Sequence, residues 1–150
     1  GGKKNISNLG YNTHSNDTWV YLCTDSVVAR DTSNTATEGV LRDHFGNWIM
    51  GFNHYLGNCF SFVAKVWGIL DGILLLLDKG YRRAIILSNN LEVIQVLSDF
   101  GLENPGITVL KRTQRFMRDE GQWKIRHMSR EFNLVADRLA KLSLTWKSSL

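Results

Sequence analysis

Apolar, strand-favouring residues fill both alternating sets of positions at the start of 19–28, with Val20, Leu22 and Thr24 on one face and Trp19, Tyr21 and Cys23 on the other. That period predicts a strand covered on both sides. A polar turn is expected over 30–35, then strands over 37–43 and 47–52, joined through His44, Phe45 and Gly46 as a short glycine-containing hairpin. The period then lengthens. From Phe62 to Leu77 apolar residues recur in a broad helical stripe, which predicts a largely buried helix over 62–79 with Gly80 at its C-terminal cap. Ala84-Ile85-Ile86-Leu87 is a short apolar run of the kind that forms a strand buried on both faces, over 83–87. Asn89 with Glu92 three residues on reads as a capping box opening a helix to about residue 100, before Gly101 and Pro105. A helix over 108–118 and a strand over 122–127 follow. A final helix over 133–144 turns Leu134, Val135, Leu139 and Leu142 inward.

A meander of strands followed by helix, strand, helices, strand and helix implies an antiparallel group extended by parallel strands through right-handed helical crossovers. The expected fold is α/β: a mixed five-stranded sheet, three strands antiparallel and two added in parallel, with helices on both faces. The domain is expected to occupy residues 18–146. Residues 1–17 are rich in Gly, Asn, Ser and Thr without apolar periodicity and read as a flexible tail or linker, and 147–150 as a short tail.

The chain has 150 residues and is 43% hydrophobic, enough for one core. Cys23 and Cys59 show no metal-ligand spacing and no disulfide framework, so two buried thiols in a reduced, intracellular protein are expected. The most apolar segment, 60–77, contains Lys65 and Asp71. Each would cost about 2.5 to 3.5 kcal/mol at a membrane centre, so the segment reads as a core helix and no membrane partner is expected. The start Gly1-Gly2-Lys3-Lys4 leads into polar residues, not the apolar run of a signal peptide. No Gly-x-Ser-x-Gly elbow, phosphate-binding loop or His-Glu-x-x-His helix is present.

In sheets of this kind, functional residues gather where the first strand and the strand after a crossover end side by side. Thr24-Asp25-Ser26 and Ser88-Asn89-Asn90 hold those places. Several motifs recur here in a recognisable order: Thr24-Asp25; Gly39-Val40-Leu41-Arg42-Asp43 with Trp48; the segment 63–72; Asn90-Leu91-Glu92-Val93; and a closing segment from His127 to Asn133 followed by Ala136, Asp137, Leu139, Ala140 and Lys141. Over residues 19–145 this resembles the ribonuclease H-like domains associated with plant reverse transcriptases. The resemblance implies a ribonuclease H-like fold, derivation from or fusion to a retroelement (retrotransposon) reverse transcriptase polyprotein, and endonucleolytic, metal-dependent hydrolysis of RNA in RNA/DNA hybrids with Mg2+ or Mn2+.

By the same resemblance the four acidic positions of that family fall on Asp25, Lys65, Asn89 and Asp137, and His127 matches a histidine that assists proton transfer or product release. Asp25 and Asp137 are the catalytic and metal-binding positions that remain acidic. Two aspartates, one lysine and one asparagine leave a formal charge of −1 where four carboxylates would carry −4, so a two-ion magnesium site is not expected to assemble. Lys65 reads as a counter-ion to Asp25, and Asn89 as a helix cap. Asp25 and Asp137 are then either hydrogen-bonded remnants or ligands of a single weakly held ion. His127 is either a partly exposed structural residue or a proton carrier. Ser26 stands where the family commonly has glycine, which implies looser backbone contact with nucleic acid.

The net charge of +4 suits a polyanionic partner as well as plain solubility, so its distribution matters more. Seven basic residues cluster between 111 and 130 (Lys111, Arg112, Arg115, Arg118, Lys124, Arg126 and Arg130) against Asp119 and Glu120. Lys111, Arg115 and Arg118 share a helical face near Phe116 and Trp123. This predicts a phosphate-contacting surface for an RNA/DNA hybrid or other nucleic acid, or else a solvated helix face. With Ser26 and Asn90 beside Asp25, the expected function is a nucleic-acid-binding domain with impaired or lost hydrolysis, a pseudoenzyme. The alternative is a non-catalytic protein-interaction scaffold presenting Trp48, Trp67 or Trp123.

Overall fold

Strands β1 (Val20–Val28), β2 (Asn34–Arg42) and β3 (Trp48–Asn58) form an antiparallel meander, followed by helix α1 (Ser61–Asp78) and strand β4 (Arg83–Ser88). Helices α2 (Leu91–Ser98) and α3 (Thr108–Asp119) and strand β5 (Gln122–His127) complete the described elements. The structure is a computed structural model and describes residues 18–98 and 107–129. The sheet order is β3-β2-β1-β4-β5, with β1 parallel to β4 and β4 parallel to β5, which is the mixed five-stranded arrangement expected from the pattern. The tails at 1–17 and 147–150, the helix expected over 133–144, Arg130 and Asp137 lie outside the described residues.

One face of the sheet holds the core. Val20 and Leu22 of β1, Leu41 of β2, and Ala84 and Ile86 of β4 pack against Val66, Ile69, Leu70, Ile73 and Leu76 of α1. The same cluster includes Val93 and Leu97 of α2 and Val109, Leu110 and Met117 of α3, so the described helices share that face. Each such Leu or Ile removed from water stabilises by roughly 1.5 to 3 kcal/mol. Gly68 and Gly72, one turn apart on α1, set how closely this helix lies. A Cβ at Gly68 would stand 2.3 Å from Thr37 Oγ1, and one at Gly72 would stand 2.5 Å from the Leu22 methyls. This close approach brings Lys65, one turn before Gly68, onto the end of β1. A 2.7 Å contact between His54 Nδ1 of β3 and Asp71 Oδ2 ties the helix to the far side of the meander.

Two strands are longer than their apolar pattern indicates. The turn after β1 closes early because Ser33 adopts a left-handed backbone (φ 60°), so β2 begins at Asn34 and the expected turn is confined to 30–33. β3 continues to Asn58 instead of ending at 52 because its second half pairs with that early part of β2, where Asn34 faces Asn58. As an edge strand it carries polar residues such as Asn53 and His54 inside its length, which breaks the alternation. Cys23 is buried as expected, whereas Cys59 is only half-buried.

Candidate nucleic-acid interface and acidic site

β1 outlasts its parallel partner. Pairing with β4 stops at Cys23 opposite Leu87, while β1 continues to Val28 against β2 alone, so a notch opens where β4 turns into α2. Asp25 and Ser26 stand on the β1 side of that notch, and Asn89 and Asn90 follow β4 on the other. This is where open α/β sheets carry their sites. Lys65 reaches the β1 side from α1, with Nζ donating to Ser26 Oγ at 3.0 Å and lying 3.6 Å from Asp25 Oδ1. The Ser26 backbone N–H donates to Asp25 Oδ1 at 2.8 Å, and the Thr37 hydroxyl donates to the Asp25 carbonyl at 3.0 Å. Asp25 is 6% exposed and the Lys65 side chain 15% exposed. At that separation their attraction is about 1 to 5 kcal/mol for an effective dielectric between about 80 and 20.

Glu38, which the sequence reading did not single out, lies directly across β2 from Asp25. It is 1% exposed, and its Oε2 has no hydrogen-bond partner. Burial pushes its carboxyl up to about 8, opposed only by the Gly39 backbone N–H. One signal in the sequence could have found it: a glutamate inside the small and apolar run Thr35-Ala36-Thr37-Glu38-Gly39-Val40-Leu41, whose register with β1 sets it beside Asp25.

The predicted Asn89 capping box is replaced by an Asn90 cap. α2 begins at Leu91, so the side chain that reaches the third helical N–H belongs to Asn90, whose Oδ1 accepts from the Val93 N–H at 2.8 Å. Glu92 falls in the first turn, where a carboxylate suits the helix dipole. The cap engages the side-chain oxygen of Asn90, a residue expected to contact nucleic acid. His127 is exposed at the end of β5, opposite Ser88. It lines a hollow of about 410 Å3 with Tyr21, Cys23, Arg42, Leu87 and Met128, none of which belongs to the Asp25 cluster.

On α3, Lys111, Arg112, Arg115 and Arg118 are all exposed, whereas Val109, Leu110, Thr113 and Met117 face the core. Arg118 is paired with Asp119 at 3.2 Å and Arg82 with Glu120 at 3.4 Å. Among the described residues, Lys111, Arg112 and Arg115 take part in none of the ion pairs. Arg112, Arg115 and Phe116 line a surface hollow of about 400 Å3. The expected aromatic support at Trp123 is corrected: its indole N–H donates to the Glu120 carbonyl and its ring packs against the core. Lys124 is also drawn away, with Nζ 4.7 Å from the centre of the Trp19 ring. Among the described residues no group of three or more His, Cys, Asp and Glu side chains is arranged to hold a metal ion. No described helix is long and apolar enough to cross a membrane.

The model of the family described as reverse transcriptase-like matches residues 23–143. Over 129 residues the chain is 29% identical to an Arabidopsis thaliana protein named "Putative ribonuclease H protein", with 85% of this chain and 21% of that protein covered. It therefore spans about a fifth of that relative's length. RNase H1 of the halophilic archaeon Halobacterium salinarum superposes with a TM-score of 0.72 at 19% identity, covering 85% of this chain and 98% of that one. LC11-RNase H1, solved in complex with an RNA/DNA hybrid, gives a TM-score of 0.70 at 17% identity, covering 80% and 92%. Its family match from 23 to 143 and its β3-β2-β1-β4-β5 sheet agree: this chain belongs to the reverse transcriptase-like family and has a ribonuclease H-like fold.

Proposed function

We propose that this domain binds RNA/DNA hybrids through their backbone and does not hydrolyse them. The observation that carries this reading is the position of Lys65, whose ammonium lies 3.6 Å from Asp25 where the resemblance calls for a metal-binding glutamate. A pair of divalent ions about 4 Å apart needs several converging carboxylates. The residues at 65 and 89 do not fit that requirement, because one supplies a positive charge and the other a neutral amide. With Asp137 as a further ligand by family resemblance, the formal charge is still too small. No hydrolytic step is derived for this chain.

Binding is supported separately by α3. Its exposed Lys111, Arg112 and Arg115 provide unpaired positive charge for phosphates, with Arg118 partly neutralised by Asp119. A complex between LC11-RNase H1 and a hybrid is known for the same fold. Recognition of this kind follows groove shape and 2′-hydroxyls more than base identity. His127, away from the Asp25 cluster, then acts at most as a further contact.

The test is titration of a labelled hybrid, a DNA duplex and single-stranded RNA at several salt concentrations, with Mg2+ and with Mn2+. The expected result is intact hybrid bound with steep salt dependence and in preference to the DNA duplex. Cleavage, or the absence of salt-dependent binding, refutes the proposal. A second reading, a protein-interaction scaffold, draws support from Trp48, 52% exposed beside Phe45, 77% exposed at the hairpin tip. Trp67 and Trp123 are half-buried and do not add to it.

A further inference from the structure

We infer that two copies of this chain pair edge to edge through β3, forming a two-fold dimer in which the sheet runs on from one copy into the other. β3 is the end strand of the β3-β2-β1-β4-β5 order, and among the described residues no strand lies on its outer edge. Proteins commonly guard such an edge with lysine, proline or inward charge, or keep it short, because an open row of N–H and C=O groups accepts any strand that approaches. β3 is 11 residues long where about five or six are usual, and from Trp48 to Asn58 it contains no Asp, Glu, Lys, Arg or Pro. His54 is turned to α1, where Asp71 holds its ring at 2.7 Å. The pairing with β2 skips Ile49 and Leu56, so bulges bend the two ends of β3 and leave a regular run over 50–55 for a partner strand.

The exposed apolar side chains lie where such a pairing needs them. Of the five large ones among the described residues, Phe45 and Trp48 stand at the start of β3 and Phe60 stands just past its end. A two-fold interface uses the same patch on both copies, so in antiparallel pairing the start of one β3 meets the end of the other. Centred on the 50–55 run, it carries Phe45 and Trp48 of one copy to Phe60 of the other, twice over. Exposed by 77%, 52% and 84%, these three rings offer roughly 300 to 500 Å2 per copy, at about 150 to 250 Å2 for a whole aromatic side chain. Doubled, that is roughly 600 to 1,000 Å2 before the strand backbone is added, and a specific interface begins at about 1,000 Å2. Two copies of net charge +4 repel, but the formal charges lie elsewhere than on this edge. The opposite edge, β5, has six residues and carries Lys124 and Arg126, so it does not suit self-pairing.

The inference does not depend on hybrid binding, and its test contains no nucleic acid, so the two can fail separately. Sedimentation equilibrium of the full chain is run in a series from about 1 μM to about 1 mM, with a dissociation constant of about 1 to 100 μM expected for an interface of this size. The expected result is a mass that moves from one chain to two. Exposed Asn53 sits near the two-fold axis, so Asn53→Lys sets like charges face to face and is expected to weaken the dimer about tenfold or more. Phe60→Ala, which removes an exposed ring and spares the core, is expected to weaken it severalfold. Circular dichroism checks the fold of both variants. Amide exchange on the parent is expected to slow over 50–55, but not over β5, as concentration rises. A parent that stays monomeric up to about 1 mM overturns the inference. So does a dimer that forms without added protection over 50–55, or one that folded Asn53→Lys and Phe60→Ala both leave undiminished.

Discussion

Replacing Glu38 by glutamine keeps the shape of the side chain and removes its titration. Burial raises the Glu38 carboxyl from an ordinary value of 4.5 to about 8 in the folded chain. Between those values the folded state holds a proton that the unfolded state has released. Stability from this group is therefore complete below about pH 4.5 and falls as pH rises, levelling off above about pH 8. At about 1.4 kcal/mol for each unit, the loss across the window is roughly 3 to 5 kcal/mol. Urea unfolding followed by circular dichroism, in chelator and at steps from about pH 5 to about pH 9, gives the parent and variant curves. Other groups contribute to both curves alike, so the difference between them isolates Glu38. Glutamine is expected to match the parent near pH 5 and to exceed its stability near pH 9. Parallel curves across the whole range refute the reasoning, because they mean that the Glu38 carboxyl ionises as easily folded as unfolded.

Gly68→Ala forces a methyl group against the Thr37 hydroxyl that holds the Asp25 carbonyl, and is expected to lower unfolding free energy by about 1 to 2 kcal/mol despite alanine's better helix propensity; an unchanged urea midpoint contradicts the close approach of α1. Asn90→Ala removes the cap on α2 and is expected to cost about 1 kcal/mol, whereas Asn89→Ala leaves the α2 cap in place; thermal unfolding of both variants shows which asparagine closes the helix. Lys111→Ala and Arg115→Ala are each expected to weaken hybrid binding and reduce the slope of log affinity against log salt by about 1, and an unaltered slope in both places the nucleic acid elsewhere on the surface.

Much of this architecture can be read from periodicity. α1, with its apolar stripe and Gly80 cap, and β5, which follows Gly121 and ends at His127, fall where the pattern places them because their burial is regular. β3 shows the opposite case. An edge strand exposes one side along its length, so residues such as Asn53 and His54 interrupt the alternation that marks a central strand. The single-residue shift from Asn89 to Asn90 has a similar origin: both can cap, and the choice depends on where β4 releases the chain, which is a matter of sheet pairing. Lys65 beside Asp25 could be anticipated from the motif order alone. Glu38 shows in the sequence only as a glutamate within an apolar run; that it lies beside Asp25 comes from a register between strands and from burial, neither of which spacing along the chain reveals.

Lys65 and Asn89 are expected to keep this fold from cutting what it binds. The direct measurement is single-turnover cleavage of a labelled RNA/DNA hybrid, with Mg2+ and with Mn2+, by the parent, Lys65→Glu, Asn89→Asp and the two changes combined, each with Asp25→Asn as control. The expected result is intact RNA with the parent and partial cleavage with the combined variant, abolished by Asp25→Asn. Cleavage by the parent that disappears in Asp25→Asn contradicts the account, since Asp25 beside Lys65 would then already serve a working site.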